Sequence, residues 1–398
     1  MRVVFAHVLP NYWLLRLAGL FLGVWQALGI DRALSVLAEQ YELNKKAEPG
    51  GDALHVVSPP KNLMIIFAQW HQFLPHIAPF KKLPPRALGD ASSREPVQLF
   101  SGCIMDVFYN NVNNAALDLL VAQSRLVENP EQTCCGALAF HAGEADITKN
   151  LAKRNIELFE RTNGPIVVTA AGCGAMLKEY GHLLHDEPNW AQRASSFSSR
   201  VVDITETLAA GRFTRSPKAR SGAGFNADSK ADSTSCSMAD ATALKPPVVA
   251  YHAACHLAHA QGVREAPAAL LSLLATVAGG KNAAVTGRGE TAGKLAAGKE
   301  NQPHALREPS SAVYAPIKLI ALREAEHCCG SAGIYNLMHP ELALKVLDRK
   351  MDNLEKTGAD IVVTTNPGCL LQLETGVRRR GLKMKVQHLC QLLHEYFV

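Results

Sequence analysis

The sequence predicts an α/β protein made of two pseudo-repeated, Rossmann-like parallel-sheet halves, preceded by a helical N-terminal region. Two observations carry that prediction. One is internal repetition: the stretch from Cys134 to Cys173 is matched by the stretch from Cys328 to Cys369. Each opens on Cys-Cys-Gly and continues into a helix-period segment with an Arg (Arg154, Arg349). Each then passes a Thr and a Gly turn, enters Ile-Val-Val-Thr and closes on Gly-Cys. Shared order over that length marks a duplicated structural unit. The other observation is alternation. Short β-rich runs at 97–100, 166–169, 248–251 and 361–364 alternate with helix-period stretches, the order that parallel strands and their crossover helices produce.

Along the chain, residues 1–95 are expected to form the helical N-terminal region, ending in Pro84-Pro85. Within it Trp13–Ile30 is mostly apolar but holds Arg16 and Gln26, and it sits at the short limit for a membrane span. Leu14, Leu17, Leu20, Val24 and Leu28 recur at helical spacing. A buried or partner-docking helix is the favoured reading, with peripheral membrane contact as the alternative. The Gly19/Gly23 pair is a weak packing signal by itself. The first Cys-Cys-Gly domain spans 96–210, from the strand-like run 97–100 through Ser101-Gly102-Cys103 to the repeat. Residues 211–246, rich in Ala, Ser, Asp, Gly and Lys, read as a flexible linker that contains Cys236. The second Cys-Cys-Gly domain, 247–398, is interrupted by a similar low-complexity insertion at 279–312. That insertion makes the gap from Cys255 to Cys328 more than twice the gap from Cys103 to Cys134.

Composition excludes several classes. Of 398 residues, 47% are hydrophobic and 19% charged, which is globular rather than disordered. The net charge of +5 is mild, and Arg378-Arg379-Arg380 is the one basic run. That triplet reads as solvated surface, so no nucleic-acid partner is expected. Ten cysteines need another explanation. The opening Met1-Arg2-Val3-Val4-Phe5-Ala6-His7 lacks the pattern of a secretory leader. Adjacent Cys-Cys pairs suit metal ligation in a reducing compartment better than a disulfide framework. The expected location is cytoplasmic, with peripheral contact at the inner membrane as the variant.

Each half supplies four thiols: Cys103, Cys134, Cys135 and Cys173, then Cys255, Cys328, Cys329 and Cys369. They follow the ends of predicted strands, the edge where open α/β sheets bind ligands, and neighbouring glycines let backbone approach a bulky group. Four thiolates suffice for a 4Fe-4S cluster, whereas structural zinc sites use spaced cysteine knuckles. Two adjacent cysteines reach different irons of a cluster more easily than one small ion. Iron–sulfur is therefore favoured over zinc and over inert buried thiols, with both alternatives left open. Cys236 and Cys390 read as ordinary thiols. Of His141, His252, His256, His259 and His327, His256 is singled out as a tuning group because it directly follows Cys255. Glu179 and Tyr180 read as helix surface. No Walker loop, nucleophile elbow, H-E-x-x-H or post-strand G-x-G-x-x-G is present. The chain is thus expected to carry no FAD and no catalytic residue, and to pass single electrons for a partner that holds a hydride carrier.

The runs SGCIMDVFYNNVNNA, CCGALAFHAGE, AAGCGAMLKEYGHLL, YHAACHLAHAQGVRE, CCGSAGIYNLMHPELA and TTNPGCLLQ resemble the iron–sulfur subunit of bacterial-type glycolate oxidase. The wider group carrying paired Cys-Cys-Gly domains includes lactate-utilisation proteins, anaerobic glycerol-3-phosphate dehydrogenase subunits and heterodisulfide reductases. The likeness covers nearly the whole chain outside the two low-complexity stretches. It implies an oxidoreductase subunit, part of a glycolate dehydrogenase, in which flavin-containing partner subunits oxidise glycolate to glyoxylate. This chain would relay electrons toward the quinone pool, with the eight cysteines as ligands of one or two iron–sulfur clusters. Lactate, glycerol-3-phosphate or heterodisulfide chemistry is the alternative, as is a zinc-binding or metal-free scaffold remnant. Three departures stand out. Members usually begin with a ferredoxin-like module, while the first cysteine here is Cys103, so a truncated form or a separate ferredoxin-like chain is expected. Heterodisulfide reductases place a second cysteine where this chain has Met176 and Gln372, which favours four ligands over five. An Asp often found in the family's Tyr-His-Asp-Ala-Cys is Ala253 here, which implies a less firmly positioned loop.

Overall fold

The computed structural model describes residues 2, 4–28, 80–88, 96–211, 213, 246–276 and 317–398. The expected insertion at 279–312, and the linker apart from 211, 213 and 246, lie outside the described residues, as does Cys236. Among the described residues nine strands make two sheets. The first is ordered β1-β3-β2-β4-β5, from β1 (Arg86–Leu88), β2 (Val97–Phe100), β3 (Leu126–Glu128), β4 (Ile166–Val168) and β5 (Val201–Asp203). The second is ordered β7-β6-β8-β9, from β6 (Val248–Tyr251), β7 (Lys318–Ile320), β8 (Ile361–Thr364) and β9 (Lys385–His388). All pairings are parallel except β1 with β3. With edge strand β1 set aside, the two sheets have the same strand order, as duplication requires.

The helices are α1 (Tyr12–Ala27), α2 (Cys103–Phe108), α3 (Asn110–Ala122), α4 (Ala137–His141), α5 (Ala145–Phe159), α6 (Ala171–Lys178), α7 (Tyr180–Leu183), α8 (Ala191–Ser199) and α9 (Ile204–Ala210) up to the end of the first half. The second half holds α10 (Glu265–Thr276), α11 (Tyr335–Met338), α12 (Pro340–Glu355), α13 (Pro367–Arg379) and α14 (Leu389–Phe397), with a turn of π-helix at His256–Ala260. The four strands expected from the apolar runs are present with nearly the expected bounds. Strands β3, β5, β7 and β9 are additions. So is β1 within the N-terminal region, where Pro84 and Pro85 favour extended backbone ahead of it.

Strand residues alternate between two cores, as a period of two dictates. Val97, Leu99, Val167, Val249, Ile361 and Val363 face a single core shared by both sheets. Phe100, Ile166 and Val168 face an outer core with α5, α6 and α8, and Ala250 and Val362 face the corresponding core with α12 and α13. Helix α3 packs on α14 and α9 on α10 across the halves. Each fully buried aliphatic side chain there contributes roughly 1.5–3 kcal/mol.

Helix α1 is capped by Asn11, whose side chain accepts the Leu14 N–H. It lies on α2, and a Cβ on Gly19 would come within 2.7 Å of Val107, so the small residue sets the approach. Arg16 donates to the buried Asp106 carboxylate at 2.9 and 3.1 Å. Its outer face carries Trp13, Leu20 and Phe21, each about two-thirds exposed. Among the described residues no helix is long and apolar enough to cross a membrane.

Candidate functional site

The structure gathers the eight predicted thiols into two pockets of four. In both halves the first cysteine follows strand β2 or β6, and the last opens α6 or lies in the first turn of α13, after β4 or β8. These adjacent strands flank the point where strand order reverses, the place where open α/β sheets bind ligands. In the first pocket Cys103 Sγ lies 3.4 Å from Cys134 Sγ and Cys135 Sγ lies 3.2 Å from Cys173 Sγ. In the second, Cys329 Sγ lies 3.4 Å from Cys369 Sγ, and Cys255 pairs with Cys328. None of the eight forms a disulfide. Cys390 is fully buried in the shared core, where burial pushes its thiol up.

The Cys-Cys-Gly turn has a local reason. Gly136 and Gly330 sit at φ +85° and +95°, a region glycine enters freely. Each turns its N–H back onto the first sulfur of the pair, at 3.4 Å to Cys134 and 3.3 Å to Cys328. A Cβ at Gly136 would meet Thr148 at 2.8 Å, and one at Gly330 would meet the Ala343 carbonyl at 2.4 Å. The following helix also ties each loop down. Asn155 accepts the Thr133 N–H at 3.2 Å and donates to the Cys134 carbonyl at 3.1 Å. Lys350 donates to the carbonyls of Glu324 and Ala325.

Tyr180, expected on the helix surface, is instead fully buried. The chain turns inward after α6, and the Tyr180 hydroxyl donates to the Cys135 carbonyl at 2.8 Å while accepting from Asn155 at 3.1 Å. Glu179 is exposed as expected. His256 is only partly buried; its Nδ1 lies 3.7 Å from Cys255 Sγ and its ring 5.7 Å from that of His141. His252 is the histidine that enters a pocket. It is fully buried, neither ring nitrogen has a hydrogen-bond partner, and it lies with Cys329 and Cys369 in a group whose ligand atoms fall within 4.8 Å of one another. Its position, three residues before Cys255, was the available signal.

The two pockets touch. The Gly172 N–H donates to Asn366 Oδ1 at 2.9 Å, and Asn366 Nδ2 lies 3.8 Å from Cys369 Sγ. Gln261 donates to the Ala171 carbonyl at 2.9 Å. Ala171 shares an apolar cluster with Ala254, Leu257, Cys329 and Cys369.

Electrostatics inside each pocket follow from crowding. Cys134 accepts the Cys103 S–H and is held low, with adjacent Cys135 lowering it further, while those two neighbours rise. Cys328 is likewise held low by Cys255 and Cys329, which rise. Cys369 is lowered by the Cys329 thiol first, with further lowering by His252 and Asn366. Sulfurs this close cannot all ionise against one another in a dry pocket. A cationic metal centre among them removes that conflict, and the all-thiol donor set with an unpartnered buried imidazole fits an iron–sulfur cluster.

Comparison with known proteins agrees with this chemistry. The cysteine-rich CCG domain matches residues 97–178 and 314–374; the first match takes in its whole cysteine set, and the second begins after Cys255. A probable glycolate oxidase iron–sulfur subunit of Bacillus subtilis (strain 168) is 35% identical over 328 residues, 81% of this chain. The chain spans 57% of that relative's length. Lactate utilization protein A of an Exiguobacterium strain is 25% identical, over 75% of this chain and 97% of its own length. Lactate utilization protein A 2 of Bacillus mycoides is 26% identical, with 75% and 98% covered. Each of the two matches takes in strands of one sheet and cysteines of its thiol pocket, so the chain resembles the cysteine-rich CCG domain twice over.

Proposed function

We propose that this chain is the iron–sulfur electron-transfer subunit of a glycolate-oxidising enzyme. Cys103, Cys134, Cys135 and Cys173 hold one 4Fe-4S cluster, and Cys255, Cys328, Cys329 and Cys369 hold a second. The observation that carries the reading is the convergence of four thiols per half at the carboxyl ends of neighbouring parallel strands. When bound, such a cluster supplies one-electron chemistry. The chain's own residues prepare the place. Gly136 and Gly330 aim N–H groups at sulfur, and Asn155 and Lys350 fix the two loops. Leu15, Val107 and Leu151 pack around Cys103 and Cys134 and keep water from the first pocket.

Oxidation of glycolate to glyoxylate falls to flavin-containing partner subunits, and the electrons continue toward the quinone pool. The uncovered apolar face of α1 supports docking to a partner subunit or to the inner-membrane surface. A second reading gives the partners lactate as substrate. It is supported by the near-complete coverage of the lactate utilization relatives, against little more than half of the glycolate oxidase relative. Iron, zinc and acid-labile sulfide analysis of anaerobically purified chain tests the cluster assignment. About four irons and four sulfides per filled pocket are expected, and zinc without sulfide overturns it. Reduction of the clusters by glycolate rather than lactate, through co-purified flavin subunits, separates the two substrates.

A further inference from the structure

The two pockets differ in charge. Sheet register pairs Gln98 and Val249 with Ile166 and Ile361 respectively. Counted back from those same strand residues, Asn155 on α5 and Lys350 on α12 hold equivalent places. Both anchor the Cys-Cys loop, one with a neutral amide and the other with an ammonium that is only 2% exposed. Burial draws the Lys350 ammonium down from its ordinary range, and the neighbouring charges of Cys329, Cys369 and Cys328 act to keep it protonated. The Glu324 carboxylate leaves that charge standing, because Arg349 already grips it at 2.9 and 2.7 Å and Asn353 at 3.1 Å. Beside the first pocket, Asp106 and Arg16 neutralise each other at 2.9 Å.

His252 is the second difference. The register places Ser101 at its position in the first half, where the backbone N–H is taken by Gln132 at 2.9 Å and the carbonyl by Asn113 at 2.9 Å. In the second half a buried imidazole with two unpartnered nitrogens faces Cys329 and Cys369 instead. A buried polar side chain without a partner is costly, unless a group absent from the protein atoms supplies one. Nitrogen ligation, N–H donation to sulfur and nearby positive charge all favour the reduced state of an iron–sulfur centre.

We propose that His252 and Lys350 make the second-half centre the more easily reduced of the two, His252 as a fifth, nitrogen contact and Lys350 as a fixed positive charge. The proposal rests on the iron–sulfur reading. Its test is an anaerobic redox titration of the full chain followed by electron paramagnetic resonance, with Cys134→Ser and Cys328→Ser assigning each signal to its half. The second centre is expected to reduce at the higher potential. His252→Phe and Lys350→Asn are each expected to lower its reduction equilibrium constant at least tenfold, about 59 mV for one electron, without moving the first centre. His252→Gln, which keeps an N–H, loses less, and nitrogen coupling on the second signal disappears in His252→Phe. Equal potentials, or a lower one for the second centre, overturn the proposal even where a variant loses iron. Absence of iron and sulfide from the unaltered chain sinks the underlying reading, and this one with it.

Discussion

The two halves share a strand order and a thiol pattern, yet they solve the same local problems with different chemistry. Their last strands show it most simply. Each ends in a fully buried residue that caps the next helix through a capping box: Asp203 with Glu206 ahead of α9, and His388 with Gln391 ahead of α14. Burial disfavours the charged form of both, so the acid moves up to about 6 and the base down to about 4. His388 also bridges the halves, donating from Nε2 to the Thr169 carbonyl at 3.0 Å while its Nδ1 accepts the Cys390 N–H. Duplication thus preserved the geometry of the unit and left its charges free to diverge.

The largest expected effect concerns the metal. Cys134→Ser and Cys328→Ser are each expected to remove about half of the bound iron and sulfide, because each pocket draws all its thiols from one half; loss of all iron from either variant would show the pockets to be interdependent. Next come the turn glycines. Gly330→Ala drives a Cβ against backbone carbonyl, whereas Gly136→Ala meets a threonine methyl that can yield. Both enter a strained φ, so thermal denaturation should show a loss of roughly 3 kcal/mol for the first and roughly 1–2 kcal/mol for the second. Equal losses would mean the two loops relax alike.

The caps give a pH signature of opposite sign. Between pH 4 and 6 the folded chain holds a proton on Asp203 that the unfolded chain releases, so this group's contribution to stability falls as pH rises. Asp203→Asn should therefore gain about 2 kcal/mol above pH 6 and nothing below pH 4. His388 is neutral in both states at pH 7. Below about pH 6.5 the unfolded chain takes up the proton that the folded chain refuses, and stability falls until pH 4. His388→Asn, which retains a cap, should flatten that acid limb by about 2 kcal/mol in denaturant titrations. The smallest effect is Arg16→Met, which leaves Asp106 without its cation. A loss of about 1 kcal/mol is expected, since the pair is partly exposed and screened.

The repeat and its thiols were legible because they carry dense, unusual signals: paired cysteines, Ile-Val-Val-Thr runs and glycine turns. Strands β3, β5, β7 and β9 were not. They are three or four residues long and include Glu128, Asp203, Lys318 and Lys385, so no clean apolar run stands out; pairing with a more apolar neighbour makes them strands. Tyr180 was misplaced because Lys178-Glu179 reads as solvent-facing, whereas the break after α6 turns the next residue inward. His256 drew attention by adjacency to Cys255, yet the parallel ladder carries His252 into the interior through its N–H to the Val363 carbonyl at 2.8 Å. Sequence neighbours are not pocket neighbours where a strand ends.

The core common to both sheets has a consequence for tolerance to change. Leu389, Leu392 and Leu393 from the second half pack in the same apolar mass as Leu119, Leu120 and Val167 from the first. Truncating one of them, Leu393→Ala for instance, loosens the floor beneath both sulfur pockets at once. The halves should melt as a single calorimetric unit, and neither should survive expression alone.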